Sequence, residues 1–276
     1  MTLPVYFISH GGGPWPYMPE AARGNAALAA SLRDIPRQIG RRPSAILMVS
    51  AHWEAAAFTV ATASHPGMVY DYHGFPENTY HVNYPAPGSP DLARRVFDCL
   101  NAARLPAALD DERGFDHGAF VPAHVMYPEA DVPMVQLSLH AGYDPREHLA
   151  LGRALAPLRN EDVLIVGSGL SYHNLRLMGS AGALPSARFD EWLQQVVVDG
   201  PVEERTAQLE QWASAPSARL AHPREDHLIP LMVAVGAAES EIAVCIYHET
   251  TAFGGITASS FRFGSTGSAI SQPSGH

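Results

Sequence analysis

Fourteen histidines in a chain of 276 residues are the first chemistry this sequence offers, and four of them close apolar runs. "VYFISHGGG" ends in His10 and three glycines, "AILMVSAHW" in His52 and Trp53, and "VPMVQLSLH" in His140, while "DVLIVGSGLSYH" reaches His173 shortly after its apolar core. Imidazole is the commonest side-chain ligand for a borderline divalent metal and the side chain that titrates nearest neutrality, so the set points to metal binding, acid/base work or both. A fifth segment, "HPREDHLIPLMVAVGAA", puts His227 behind Glu225 and Asp226 at the head of an apolar helix. Either His227 is a third ligand there, or Asp226 caps the helix and His227 bonds nearby backbone; the segment alone leaves both open.

In "RGFDHGAFVPAH", Asp116 and His117 fall in a glycine-flanked loop, where the acid could orient an imidazole. For His65, His81, His124, His148 and His248 the plain reading is surface placement or satisfied polar contacts. His140 ends a strand but lacks the glycine and aromatic neighbours of His10 and His52.

The elements that must position these residues follow from the pattern. The apolar runs are short, rich in Val, Ile and Leu, and continuous, as strands covered on both faces read. Between them lie helical stretches. Ser89 caps a helix with Pro90 first and Leu92, Val96 and Leu100 on one face. Asp144 and Pro145 open another through Leu149, Leu155 and Leu158, and a third carries Phe189, Trp192, Leu193, Val196 and Val197. Alternating strand and helix predicts an α/β fold: a single domain whose mostly parallel or mixed central sheet is covered by helices on both faces. We place the catalytic domain at residues 1–263 and a flexible tail at 264–276, with the longest loop running from His65 to Pro90. In such sheets ligands bind outside the carboxyl ends of the strands, where His10, His52, His140 and His173 fall. The glycines after His10 let the backbone turn sharply and a ligand approach.

Composition narrows the classes further. Hydrophobic residues at 46% and charged residues at 17% describe a globular chain, and no run approaches the roughly 18 apolar residues of a membrane span. A net charge of −10 with scattered Lys and Arg offers no basic stripe for nucleic acid. Cys99 and Cys245 lack a CxxC spacing and read as small buried hydrophobes rather than a disulfide or zinc ribbon. The N-terminal residues show no basic n-region or h-region, so the expected location is the cytoplasm. A homo-oligomer is left open.

Taken together, "SHGGGPW", "VSAHWE", "HGFPENTYHVNYPAPGSP", "GFDHGAFVP", "GSGLSYHNL" and "REDHLIPL" resemble the class III extradiol ring-cleavage dioxygenases, in the LigB-like superfamily and its 4,5-DOPA dioxygenase group. The resemblance implies a mononuclear non-haem iron site using His10, His52 and His227. Relatives with two histidines and a glutamate keep the neighbouring carboxylates, Asp226 and Glu225, in play as the third ligand. It also implies that His173 is the acid/base residue and that His117 contacts substrate or oxygen. The expected reaction is cleavage of a catechol-type ring by O2. Three ligands on one face of Fe(II) leave positions for a chelating catecholate and for O2. Zn2+, being d10, could hold the structure but could not relay electrons. Trp15, Trp53, Tyr72 and Phe75 are candidate walls for a flat ring, against the plain alternative that they are core. Two rival readings are a zinc hydrolase on a similar scaffold, with His173 or Asp226 as base, and a non-enzymatic binding protein that keeps the fold.

Overall fold

The computed structural model describes residues 2–266. One sheet of eight strands runs through them: β1 (Val5–Ser9), β2 (Ala45–Ala55), β3 (Phe58–Ala61), β4 (Ala107–Asp110), β5 (Met134–His140), β6 (Val163–Gly169), β7 (Ala243–Ala252) and β8 (Ile256–Phe263). Their spatial order is β4-β3-β5-β2-β6-β1-β8-β7. The central block of β5, β2, β6 and β1 is parallel, while β3 runs antiparallel to β5 and β8 runs antiparallel to both β1 and β7. This is the mixed α/β sheet expected from the alternation of apolar runs and helices.

Among the described residues the α-helices are α1 (Pro19–Gly24), α2 (Ala26–Ile39), α3 (Pro90–Ala102), α4 (His117–Met126), α5 (Pro145–Leu155), α6 (Ala183–Gln194), α7 (Val202–Glu210), α8 (Ala218–Ala221) and α9 (Ile229–Ala237). Side chains alternate along the central strands because successive Cβ atoms point to opposite faces. Val5, Phe7, Leu47 and Val49 feed a core shared with α3, α5, α6 and α9. Tyr6, Ile8, Ile46 and Met48 feed the other, shared with α2 and α4. Burial on both faces is why these strands read as unbroken apolar runs.

Several expectations are refined. Ser89 caps α3 by accepting from the Leu92 N–H (3.3 Å), as its sequence indicates. The helix opened by Asp144 leaves α geometry at Leu155, and Leu158 sits in a following 3-10 segment, Ala156–Glu161. The helix around Phe189 widens after Gln194 into a π turn, Gln195–Asp199, that carries Val196 and Val197. The glycine-flanked loop at Asp116 and His117 is in fact the start of α4. Asp116 is its N-cap, accepting from the Ala119 N–H (3.1 Å), and His117 is its first residue. Gly118 and Pro122 obscure this helix because both read as breakers, yet nearly all of α4 is buried and packing outweighs propensity. Cys99 is buried as expected, whereas Cys245 is half-buried with its thiol 3.2 Å from the Tyr247 carbonyl. The tail expected from Gly264 lies outside the described residues from residue 267 onward. No described helix is long and apolar enough to cross a membrane.

Two fully buried histidines tie the fold to pH. The His148 ring donates through Nδ1 to the Asp144 carbonyl (2.7 Å) and accepts at Nε2 from the His140 N–H (3.2 Å), so only the neutral ring satisfies both. His222 donates through Nε2 to the Ser171 carbonyl (3.0 Å). Burial pushes each imidazole down to about 4. Between about pH 6.5 and 4 the unfolded chain therefore binds more protons, and stability is lost as pH falls. In metal-free protein we expect urea unfolding at pH 5 to show a loss of about 2 kcal/mol per histidine relative to pH 7. His148→Gln should remove its share of that slope; an unchanged slope would assign the loss to other groups.

Candidate active site

His10 follows β1 directly. Its N–H donates to the Gly169 carbonyl (3.2 Å) at the end of β6, and its own carbonyl accepts the Trp15 indole N–H (2.8 Å). Gly11 then takes φ +80°, and a Cβ there would lie 2.3 Å from Trp15 Nε1, so the turn over the indole needs glycine. His52 lies near the end of β2, where pairing with β5 slips between Val49 and Glu54, a bulge that breaks the strict alternation of faces beside the site. His227 arrives from the turn before α9. Its carbonyl accepts from the Leu170 N–H (3.0 Å), and the approach is so close that a Cβ on Gly169 would lie 2.1 Å from that oxygen.

These three rings meet. His52 Nε2 stands 3.2 Å from His10 Nε2 and 3.1 Å from His227 Nε2. The opposite nitrogens are engaged elsewhere. Ser168 has one hydroxyl proton and gives it to the Gly118 carbonyl, so it accepts from His10 Nδ1–H (3.2 Å). His52 Nδ1 lies 3.1 Å from Asp71 Oδ2. His227 Nδ1 lies 3.1 Å from Asp226 Oδ1, close enough for charge attraction although the N–H is not aligned for a hydrogen bond. With protons on Nδ1, three Nε2 lone pairs face one point. Nitrogens bound to one ion at roughly 2.1 Å stand about 3.0–3.4 Å apart at octahedral to tetrahedral angles, so the donor set fits a divalent cation.

Two further histidines flank this point. His117 Nδ1 donates to Asp71 Oδ1 (2.8 Å), which also accepts the His117 backbone N–H (3.0 Å); the ring centroid is 3.9 Å from that of His52. His173 stacks on His227 at 3.4 Å and 19°, with Nδ1 3.8 Å from Asp226 Oδ1. Among the described residues, atoms that could ligate a metal thus form two groups, His10 with His52 and His117, and His173 with Asp226 and His227, joined by the short contact between His52 and His227. His10 and His227 form a dry floor at 1% and 2% exposure, while the side chains of His52 and His173 remain about one fifth open.

Electrostatics match this layout. Burial, and then the neighbouring imidazoles, hold His10 well below its ordinary value; burial also dominates at His227, which is likewise held low. For His52 burial is outweighed by the Asp71 hydrogen bond and by the charges of Asp116, Asp71 and Asp226, so its value rises. Burial alone would raise Asp71, but hydrogen bonds to His117 and His52 hold its carboxyl far below the usual range.

The remaining expected residues divide. Tyr72 and Phe75 pack edge to face (5.5 Å), with the Tyr72 ring 5.7 Å from His117. Trp15 is buried beneath Gly11, and Trp53 is buried under the Arg113 guanidinium (5.0 Å). Asp116 does not orient His117; it accepts from Ser50 Oγ (2.7 Å), from Arg113 (2.9 Å) and from Gln136. Asp226 does not cap α9, whose N-cap is Leu228; it accepts the His227 N–H (2.8 Å). His140 pairs with Glu147 (2.7 Å) and stands apart from the cluster. Sequence reasoning passed over Asp71 and Ser168. The signal for Asp71 was a lone acid among Tyr70, Tyr72 and Phe75 in the long loop, and for Ser168 a hydroxyl two positions before the end of the Leu170 run.

The family described as the catalytic LigB subunit of aromatic ring-opening dioxygenase matches residues 4–264. The chain belongs to this family. Over 267 residues this LigB-family chain is 39% identical to a 4,5-DOPA dioxygenase extradiol of Beta vulgaris, covering 95% of this chain and 97% of that one. It is 41% identical to the dioxygenase tasH of Hapsidospora irregularis, over 89% of this chain and 81% of that protein. The crystal structure of the uncharacterized protein JW3007 from Escherichia coli K12 superposes with a TM-score of 0.75 at 31% identity, over 95% of this chain and 100% of that chain. This LigB-family protein is an extradiol ring-cleavage dioxygenase, whose reactants are a small aromatic molecule and O2.

Proposed function

We propose that the protein opens the ring of a catechol with O2, using Fe(II) held by Nε2 of His10, His52 and His227. The observation that carries this reading is the convergence of three Nε2 atoms at 3.1 and 3.2 Å, with Ser168, Asp71 and Asp226 behind them. Lone pairs brought so close repel one another unless a cation lies between them. Fe(II) would supply the accessible redox states that a singlet aromatic and triplet O2 require.

The chain's own residues do the rest. His173 sits at the open side of the cluster, next to a cavity of about 560 Å³ lined by Asn174, Arg176, Arg224 and Asp226. From there it takes a proton from a catechol hydroxyl as the substrate seats and returns it as the ring opens. Asn174 anchors that loop by donating to the Leu220 carbonyl (2.8 Å) and accepting the Arg176 N–H (3.0 Å). His117, fixed through Nδ1, keeps Nε2 for the reactants. The buried floor excludes bulk water from the reacting atoms.

The test is oxygen consumption. Protein reconstituted anaerobically with Fe(II) and then exposed to O2 should take up one O2 per catechol and form a yellow semialdehyde. Reconstitution with Zn2+ should give no uptake. Absence of uptake across a panel of substituted catechols, or equal turnover with Zn2+, would overturn the reading.

A further inference from the structure

Asp71 does more than one job in this geometry. Its Oδ2 faces His52 Nδ1 (3.1 Å), while its Oδ1 accepts both the Nδ1–H and the backbone N–H of His117 (2.8 and 3.0 Å). One carboxylate thus contacts two imidazoles from different elements: His52 on β2, proposed above to hold the ion, and His117 at the start of α4, proposed to face the reactants. Asp71 itself comes from neither element. The loop that bears it is clamped to the segment before α4 by a short parallel bridge, with Phe115 N–H donating to the Gly67 carbonyl and Val69 N–H to the Phe115 carbonyl (2.8 Å each). Gly114 allows this closeness, since a Cβ there would lie 2.5 Å from the Gly67 oxygen. The clamp delivers Asp71 two residues later.

We infer that Asp71 is a shared positioning residue: it sets the ring orientation of both His52 and His117, so that metal retention and substrate-side hydrogen bonding depend on one side chain. The inference rests on the ligand and reactant-side roles proposed above. Only a carboxylate can serve this way. It offers an acceptor oxygen to each ring, whereas an asparagine offers one oxygen and a pair of N–H donors that cannot face a second N–H. Asp226 makes a looser version of the same arrangement between His227 (3.1 Å) and His173 (3.8 Å). His117 is therefore locked by its acid, whereas His173 is left room to turn.

The experiment compares the full-length protein with Asp71→Asn and Asp71→Glu. Zn2+ affinity is measured by chelator competition, and ring tautomers of the Zn2+-loaded proteins by histidine 15N shifts. Asp71→Asn should bind Zn2+ about 10- to 100-fold more weakly. Its His117 should lose the single Nδ1-protonated form seen in the parent, and kcat with a catechol should stay at least tenfold low at saturating Fe(II). Asp71→Glu, which keeps two acceptor oxygens, should lose less on the affinity and tautomer readouts, and it serves as the test if the asparagine variant does not fold. Unchanged Zn2+ affinity, an unchanged His117 tautomer, or full recovery of kcat with excess Fe(II) would each overturn the shared role. If the parent cleaves no catechol, the proposed reaction falls, while the affinities and nitrogen shifts still decide the role of Asp71.

Discussion

Replacing His52 by alanine is expected to strip the protein of its ion and to lower ring cleavage by at least a thousandfold. His52 is the middle member of the trio, with short contacts to both His10 and His227, so its loss removes the nitrogen that joins the other two. The side chain is about one fifth exposed, so truncating it removes fewer buried contacts than truncating His10 or His227 would. Without an ion, facing lone pairs are a cost, and removing one imidazole relieves it. We therefore expect metal-free His52→Ala to melt within a few degrees of metal-free parent, while elemental analysis after gel filtration finds less than a tenth of the parent's metal. A variant that still carries one ion per chain would place the centre elsewhere.

His173→Ala is expected to do the reverse, keeping the ion and losing turnover by about 10²- to 10⁴-fold, the range for removing a positioned acid or base. Its ring stacks on His227, and the short Nε2 contacts of His52 to His10 and His227 do not involve it, so the three proposed ligands keep those contacts when it is cut back. Its Nδ1 is 3.8 Å from Asp226, too far for a firm hydrogen bond, which leaves the ring able to turn toward an incoming hydroxyl. Single-turnover stopped-flow under saturating catechol and O2 separates a slow chemical step from weak binding. Full activity across several catechols would remove His173 from the reaction.

The sequence discloses the centre of the fold better than its margins. Val5–Ser9, Ala45–Ala55 and Val163–Gly169 announce themselves because strands buried on both faces carry unbroken apolar runs, and that same burial puts His10 and His52 at or near their ends. The flanking strands do not. Phe58–Ala61 and Ala107–Asp110 are four residues long, and Ala243–Ala252 is mostly half-buried or exposed at a sheet edge. His227 was half legible: a histidine at the head of an apolar helix is visible, but its proximity to His52, 175 residues earlier, is not. Asp71 was fainter still, marked only as a lone acid among aromatic residues, since its partners lie 19 and 46 residues away and no periodicity marks a loop residue that works through tertiary contact.

The neighbours of β1 set a timetable for assembly. Its two partners, β6 and β8, are translated roughly 160 and 250 residues after it, and β8 runs antiparallel between it and the edge strand β7. While the ribosome is still building the middle of the chain, the segment carrying His10 has nothing to pair with. An ion held by the three proposed ligands must therefore wait for the segment carrying His227, which is made long after those carrying His10 and His52.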